Sequence, residues 1–575
     1  MAYENFYKGA DYGMEPGSDS LYTGTTMAQG ALGATTGVQI ANQLQDVGNF
    51  LNQGMKTIEV STISSEVFDM IPKQHMKEMD RLSKLTNFDI TLHAPIIEPS
   101  GFTQQGWNEQ NREAAERQLK DVILRAHDMS PRKPMPVTIH ASAIPGTERM
   151  PIDIIGKKNL TADELRIYEK EGSIPTQMIA VNQETGDLVP LRREVRHYPT
   201  SPKGKIYTPM EEIAIANRSY WDNKLSQLVF YKERGDDILT KNFPMIAAEY
   251  KSIANGEIPQ NKIGEILTDN QKAAFSNVTN ANIYLENTHQ SLNSLFNEAY
   301  KVANGKGKEA LEQASEQFKQ ALEEGHSNPT KYSSALQGII RAMQHITVNG
   351  QGAGIRADIY KPVEEFAVDK ASKTFGNVAY EAWKKFGNSA PIISIENPPY
   401  GTALSTADDL KKLIKKSRAE FVEKAVSKGM NEGDAKRAAE SMIGATWDTS
   451  HISMMRKQGF DKRELIKEAE KIAPMVKHVH LNDNFGHSHT DLPPGMGNVP
   501  IGEIMKKLKA EGYKGKAVFE GGNFFQHFKT PPHGMLLEAM GSAIYSAQAQ
   551  PSWTKVYGTM GNYSSGYGTF LPEHN

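Results

Sequence analysis

An α/β fold, a (β/α)8 TIM barrel with a large, mainly helical insertion after strand 4, is predicted by three features of the 575-residue sequence. Short apolar runs rich in Val, Ile, Thr and Phe recur, and each precedes a longer segment of helical period, which is the sequence form of a βα unit. Eight such runs can be counted, the number that closes a parallel barrel. With the long interval between the fourth and fifth runs set aside, the units occupy about 250 to 300 residues, an ordinary barrel length.

The predicted strands are, in order, LYTGTTM (21–27), KTIEVS (56–61), FDITLHA (88–94), PVTIHAS (136–142), PIISIEN (391–397), IGATWDT (443–449), VKHVHLN (476–482) and KAVFEG (516–521). The helices between them carry their own signals. Ser405 and Thr406 stand ahead of Asp408 and Asp409, a capped start for LKKLIKKSRAEFVEKAV. Gly512 and Gly515 close the last helix before KAVFE. From residue 143 to 375 the pattern changes to a hairpin around QMIAVNQETGDLVPLRREV, then to polar helical segments rich in Ala, Glu, Lys and Gln. The expected parts are an N-terminal extension (1–20), a barrel in two pieces (21–142 and 376–548), the insertion (143–375) and a Gly-, Tyr- and Ser-rich tail (549–575). Attachment behind a strand C-terminus puts the insertion on the face where barrel active sites lie. A lid or substrate-selecting subdomain is one reading, and a packing or oligomer surface is the other.

Composition narrows the chemistry. With 38% hydrophobic and 23% charged residues the chain is an ordinary globular protein. Its formal net charge of -3 gives no general attraction to nucleic-acid backbones or anionic membranes. No Cys is present, so disulfides, thiolate metal sites and cysteine nucleophiles are excluded. Any transition metal must be held by His and carboxylates. No stretch reaches the ~20 apolar residues that span a bilayer, and the first residues lack a basic region followed by an apolar run. The expectation is a soluble, cytoplasmic protein with no membrane partner. A P-loop, a dinucleotide fingerprint and a serine nucleophile elbow are all missing from strand-to-helix settings.

Polar residues end the apolar strands. His93 ends DITLH, His140 ends VTIH, Glu396 ends IISIE, Asp448 ends GATWD, His480 ends HVH and Glu520 ends AVFE. In a parallel barrel all strand C-termini converge on one mouth, so these six groups point at a common volume. Acids and imidazoles buried together repel or stay unsatisfied without a cation, and Mn2+, Zn2+, Mg2+ or Co2+ would satisfy them. His451, three residues after Asp448 in WDTSH, can reach the same region. The loop HSHTDLPPGMGNVPIGEI adds His487, His489 and Asp491, with His487 holding the weakest claim. Any one of these residues alone is more simply a satisfied core or rim group; six at the same place on six strands are not. Glu59 ends the second strand and reads as a salt-bridge partner more readily than a substrate contact. Glu286 and His289 in YLENTHQ (284–290) imitate a strand end but fall in a helix-like stretch, where they read as surface residues.

The order LHAP, IHAS, IEN, WDTSH, HVHLND, LPPGMGNVP and VFEGG resembles the superfamily of xylose-isomerase-like sugar isomerases and epimerases and the DNA-repair enzyme endonuclease IV (AP endonuclease family 2). The resemblance covers the strands at both ends of the chain and leaves the insertion uncovered. It implies one metal held by Glu396, Asp448, His480 and Glu520, with an acid/base role for the two glutamates. For endonuclease IV it implies a trinuclear zinc site completed by His93, His140 and His451 and by an Asp-x-His pair. Here that pair is His489 and Asp491, with the residue types exchanged.

Three functions are therefore expected in order. The first is a divalent-metal-dependent sugar or sugar-phosphate isomerase or epimerase, which needs one metal and a small-molecule sugar substrate. IENPPYG, where endonuclease IV has a different Gly-containing turn, favours it. The second is a zinc-dependent apurinic/apyrimidinic endonuclease with two or three metals, in which nucleic acid is the partner; the balanced charge stands against it. The third is a non-catalytic barrel scaffold that binds through its insertion and tail. A homo-oligomer is compatible with each.

Overall fold

Eight parallel strands close into a barrel in the computed structural model, which describes residues 32–521 apart from 53–54, 63, 303–304, 326–327, 349–357 and 495–496. The strands are β1 (Leu32–Thr35), β2 (Thr57–Ser61), β3 (Asp89–His93), β4 (Pro136–His140), β5 (Ile392–Glu396), β6 (Ile443–Asp448), β7 (Val476–His480) and β8 (Ala517–Phe519). Each pairs in parallel with its sequence neighbours, and β1 closes the barrel against β8 through Leu32↔Ala517 and Ala34↔Phe519.

Seven of the eight predicted strands fall where expected, trimmed by a residue or two. The first does not. LYTGTTM (21–27) lies outside the described residues, as do the extension 1–20 and the tail 549–575. The strand that closes the barrel is LGAT, a segment of small residues that propensity alone passes over. Gly33 explains the choice, because a Cβ there would stand 2.5 Å from the Thr57 carbonyl oxygen on β2. Close backbone approach, not side-chain preference, selects this segment.

The helices cover the outside of the barrel. Thr406 caps the helix Ala407–Ser427 as predicted, its hydroxyl accepting from the Asp409 N–H at 3.2 Å. Thr406→Ala should therefore cost about 1 kcal/mol, read as a lowered midpoint in denaturant unfolding with an unchanged slope. The helix Ile501–Ala510 ends before Gly512, which takes φ +91°. The predicted hairpin is present, with Ser173–Asn182 pairing antiparallel to Leu188–Arg192 from Gln177↔Arg192 to Val181↔Leu188.

Two compact units emerge among the described residues, one formed by those up to Pro209 and from Pro362 onward, the other by those within Met210–Lys361. This division is narrower than the predicted 143–375 insertion. The hairpin contributes Ile179 and Val181 to the barrel core, and the helix Val363–Phe386 buries Val363, Phe366, Ala371 and Phe375 there. That helix is a barrel helix. Its Thr374 accepts from Arg112 at 3.1 Å and its Asn377 donates to Glu116 at 3.0 Å, tying it to the helix Glu109–Ala126. The second unit is helical, with a core of its own that includes Trp221, Leu225, Leu228, Val278, Leu285, Leu292 and Ile340. YLENTHQ lies in its helix Asp269–Val302, where Glu286 is exposed and His289 sits 2.9 Å from the Tyr332 hydroxyl.

Candidate active site at the barrel mouth

Strand register assembles the site. Glu396 lies beside His140 on β4, and Asp448 beside His480 on β7, so residues far apart in sequence share one end of the barrel. Glu396, Asp448 and His480 are completely shielded from solvent. His480 Nδ1 lies 2.6 Å from Glu396 Oε1, 3.4 Å from Glu520 Oε2 and 4.0 Å from Asp448 Oδ2. The four residues predicted as central ligands thus meet at one imidazole nitrogen.

The additional residues gather around this group in two sets. His93 and His140 approach one oxygen, Glu396 Oε2, through their Nε2 atoms at 3.2 and 3.1 Å, and His93 also lies 3.4 Å from Glu520 Oε1. On the other side His451 Nε2 faces His489 Nε2 at 2.8 Å, and Asp491 Oδ1 lies 3.5 Å from His489 Nε2. His451 Nδ1 is 4.0 Å from Glu396 Oε1, which links this outer group to the inner one. Solvent reaches Glu520, His140 and His489, with side-chain exposures of 17, 18 and 38%. His487 is exposed and belongs to none of the donor groups among the described residues.

Two asparagines that sequence reasoning passed over hold the strand ends. Asn397 accepts from the Asp448 N–H at 2.8 Å, and Asn482 donates to Asp448 Oδ2 at 2.6 Å while accepting from the Glu520 N–H at 2.8 Å. Asp448 Oδ1 in turn accepts from the N–H groups of Ser450 and His451, which starts the short helix carrying His451. The signal was present in IEN and HLND, since Asn397 directly follows Glu396 and Asn482 stands two residues after His480.

Glu59 is placed differently from the expectation. β2 runs on to Ser61, so Glu59 is mid-strand and fully buried beneath the mouth, with its salt bridges to His478 and His480 inside the barrel. It belongs to an interior layer with Thr91, Thr138, Ser394, Thr446 and His478, the residues two positions before mouth residues on their strands. The period of two along a strand puts them on the same inward face.

Burial and charge set unusual protonation. Burial pulls the His480 pKa down, but the carboxylates of Glu520, Glu396 and Glu59 outweigh it and hold the imidazole protonated well above its ordinary value. His93 is likewise raised, against burial, to about 9 by Glu396 and Glu520. Glu396 is driven well below, and Glu520 down to about 2, because His480 overrides their burial. Asp448 goes the other way, to about 7, through burial and the neighbouring charges of Glu396 and Glu520. Burial and the His489 charge depress His451 to about 4. Asp491 is raised by burial to about 6.

The donor set fits a metal ion. His93 Nδ1 lies 2.8 Å from the Ala94 carbonyl and His451 Nδ1 2.8 Å from the Asn397 carbonyl. A carbonyl accepts only, so each ring donates through Nδ1; His451 Nε2 then turns a lone pair toward the facing imidazole, and His93 Nε2 would do the same toward a cation once that cation displaces its proton. A cation satisfies that arrangement and would reverse the upward push on Asp448. The described residues therefore include several His and carboxylate groups able to hold a metal, among them His93–Glu396–His480–Glu520, Glu396–Asp448–His451 and His451–His489–Asp491.

Residues 432–539 match the family model described as xylose isomerase-like TIM barrel. An uncharacterized protein of Methanocaldococcus jannaschii is 31% identical over 81 residues, 14% of this chain and 26% of that protein, so the match spans about a quarter of the relative's length. A crystal structure of a D-tagatose 3-epimerase-like protein superposes with a TM-score of 0.37 and 12% identity, covering 90% of this chain and 99% of that one.

Proposed function

With a barrel of the xylose isomerase-like type as premise, we propose that the chain is a divalent-metal-dependent isomerase or epimerase acting on a sugar or sugar phosphate. The observation that carries this reading is the convergence of two ionised glutamates, Glu396 and Glu520, with Asp448 on a single nitrogen of His480. A bound Mn2+, Co2+, Zn2+ or Mg2+ held by these four residues would polarise a substrate carbonyl and the adjacent hydroxyl. Glu520, open to the mouth, takes the proton from the carbon next to the carbonyl. Glu396 serves as its counterpart in returning a proton, which it takes from His93, raised to about 9 and 3.2 Å from its Oε2; His140 Nε2 lies 3.1 Å from the same oxygen. Asn482 keeps Asp448 and Glu520 in register. The test is solvent deuterium exchange into a panel of ketoses and ketose phosphates with added Mn2+ or Co2+. Exchange into at least one is expected, and none into any would sink the reading.

Metal affinity should rise with pH. In the metal-free site Asp448 keeps its proton to about 7 and His93 to about 9. A proton on a ligand competes with the cation, so each one displaced adds about tenfold to affinity per pH unit until that group titrates. Chelator competition between about pH 6 and pH 9 is expected to show a steep increase. A flat profile would contradict the placement of these groups among the ligands.

A second reading, phosphodiester hydrolysis at abasic DNA, is favoured by the outer group His451–His489–Asp491, which a one-metal isomerase does not need. Two or three zinc ions per chain and nicking of a duplex bearing one abasic site would support it. Intact duplex at high enzyme and zinc concentrations would eliminate it.

A further inference from the structure

Beneath the mouth lies a buried charge that the proposed chemistry does not use. Glu59 Oε2 accepts from the Thr91 hydroxyl at 2.7 Å and lies 3.0 Å from His478 Nε2, while Oε1 lies 2.9 Å from His480 Nε2. The opposite nitrogen of His480, Nδ1, faces Glu396 and Glu520. His480 thus stands between one carboxylate below it and three above. A buried carboxylate is tolerated only where donors converge on it. Here Thr91 and His478 hydrogen-bond Oε2, while Oε1 and His480 Nε2, neither with a hydrogen-bond partner among the described residues, face each other at an ion-pair distance of 2.9 Å.

An imidazole bound to a metal through one nitrogen carries its proton on the other, and a carboxylate at that proton fixes both tautomer and ring orientation. We propose that Glu59 is a positioning residue that retains the Nε2 proton of His480, so that Nδ1 presents its lone pair to the cation at the mouth. His478 holds the other end of the Glu59 carboxylate and sits edge-on to His480, with ring centroids 5.2 Å apart. Thr91 hydrogen-bonds Glu59 Oε2 from β3. The inference rests on the proposed metal site but not on the choice of substrate.

The test uses the full chain and Co2+ alone as probe, with affinity from chelator competition and coordination from the visible absorption of bound Co2+. Glu59→Gln is expected to weaken Co2+ binding by roughly 10- to 100-fold, the usual loss when a carboxylate behind a metal-bound histidine is removed. The absorption bands should change while the ion count at saturation stays the same. Glu59→Asp keeps the charge in the layer but shortens its reach, so it should fold even where Gln does not and should show the same weakening. Affinity within twofold of the parent in both variants, with only thermal stability altered, would reduce Glu59 to a structural charge and overturn the proposal. Loss of one ion per chain with undiminished affinity for the rest would also overturn it, in favour of an ion held by Glu59 itself. A parent that binds no Co2+ refutes this inference and the metal site together. A parent that binds Co2+ but exchanges no sugar proton refutes the isomerase reading alone.

Discussion

Glu396→Gln is expected to abolish proton exchange, with kcat/KM falling by about 10^3-fold or more. A positioned acid or base contributes roughly 10^2 to 10^4-fold, and this substitution also removes a ligand charge. The side chain is completely buried, with one oxygen 2.6 Å from His480 Nδ1 and the other shared by His93 and His140. Gln has the same shape, so the barrel should fold. Its amide nitrogen, however, cannot accept from an imidazole. Glu520→Gln should behave alike, because it too flanks His480 Nδ1. Deuterium exchange with the accepted sugar, alongside circular dichroism to confirm folding, measures both effects. Turnover within a few-fold of the parent in either variant would remove these carboxylates from the chemistry.

The second large effect concerns where the chain can be cut. Deleting residues 150–370 should abolish soluble folding, whereas replacing 210–361 with a short Gly/Ser linker should leave a folded barrel that binds metal. The longer deletion removes Ile179, Val181, Val363, Phe366 and Val368, all buried in the barrel core. Each such side chain contributes about 1.5–3 kcal/mol. Together they rival the roughly 5–15 kcal/mol by which a whole domain is stable. The shorter deletion takes away only the unit with a separate core around Trp221 and Leu285. Soluble expression, thermal unfolding and Co2+ binding of the two deletions decide the matter. A folded product from the longer one would show that these residues are dispensable.

Much of the site was legible before any coordinates, for a geometric reason. Parallel strands end at one face of the barrel, so a polar residue closing an apolar run has a predictable destination. His93, His140, Glu396, Asp448 and His480 could be read as neighbours although they span residues 93 to 480. The cap at Thr406 and the hairpin at 173–192 were legible because both are set by residues a few positions apart.

Other features depend on what meets across space. LGAT closes the barrel because Gly33 admits the β2 backbone, a contact that no propensity of β1 encodes. The helix Val363–Phe386 shares its Ala- and Lys-rich pattern with the helical unit before it, and only its packing on the helix Glu109–Ala126 assigns it to the barrel. Glu59 meets His480 across the barrel interior, although β2 and β7 are not adjacent strands. Protonation is the furthest from the sequence. Glu396 and Asp448 are both buried carboxylates at strand ends, yet one is held ionised and the other is pushed to about 7. Periodicity decides which residues face the barrel interior, because side-chain direction follows from local backbone geometry. Partners and charge states belong to the closed barrel, because Coulomb energies depend on distances that exist only once it has formed.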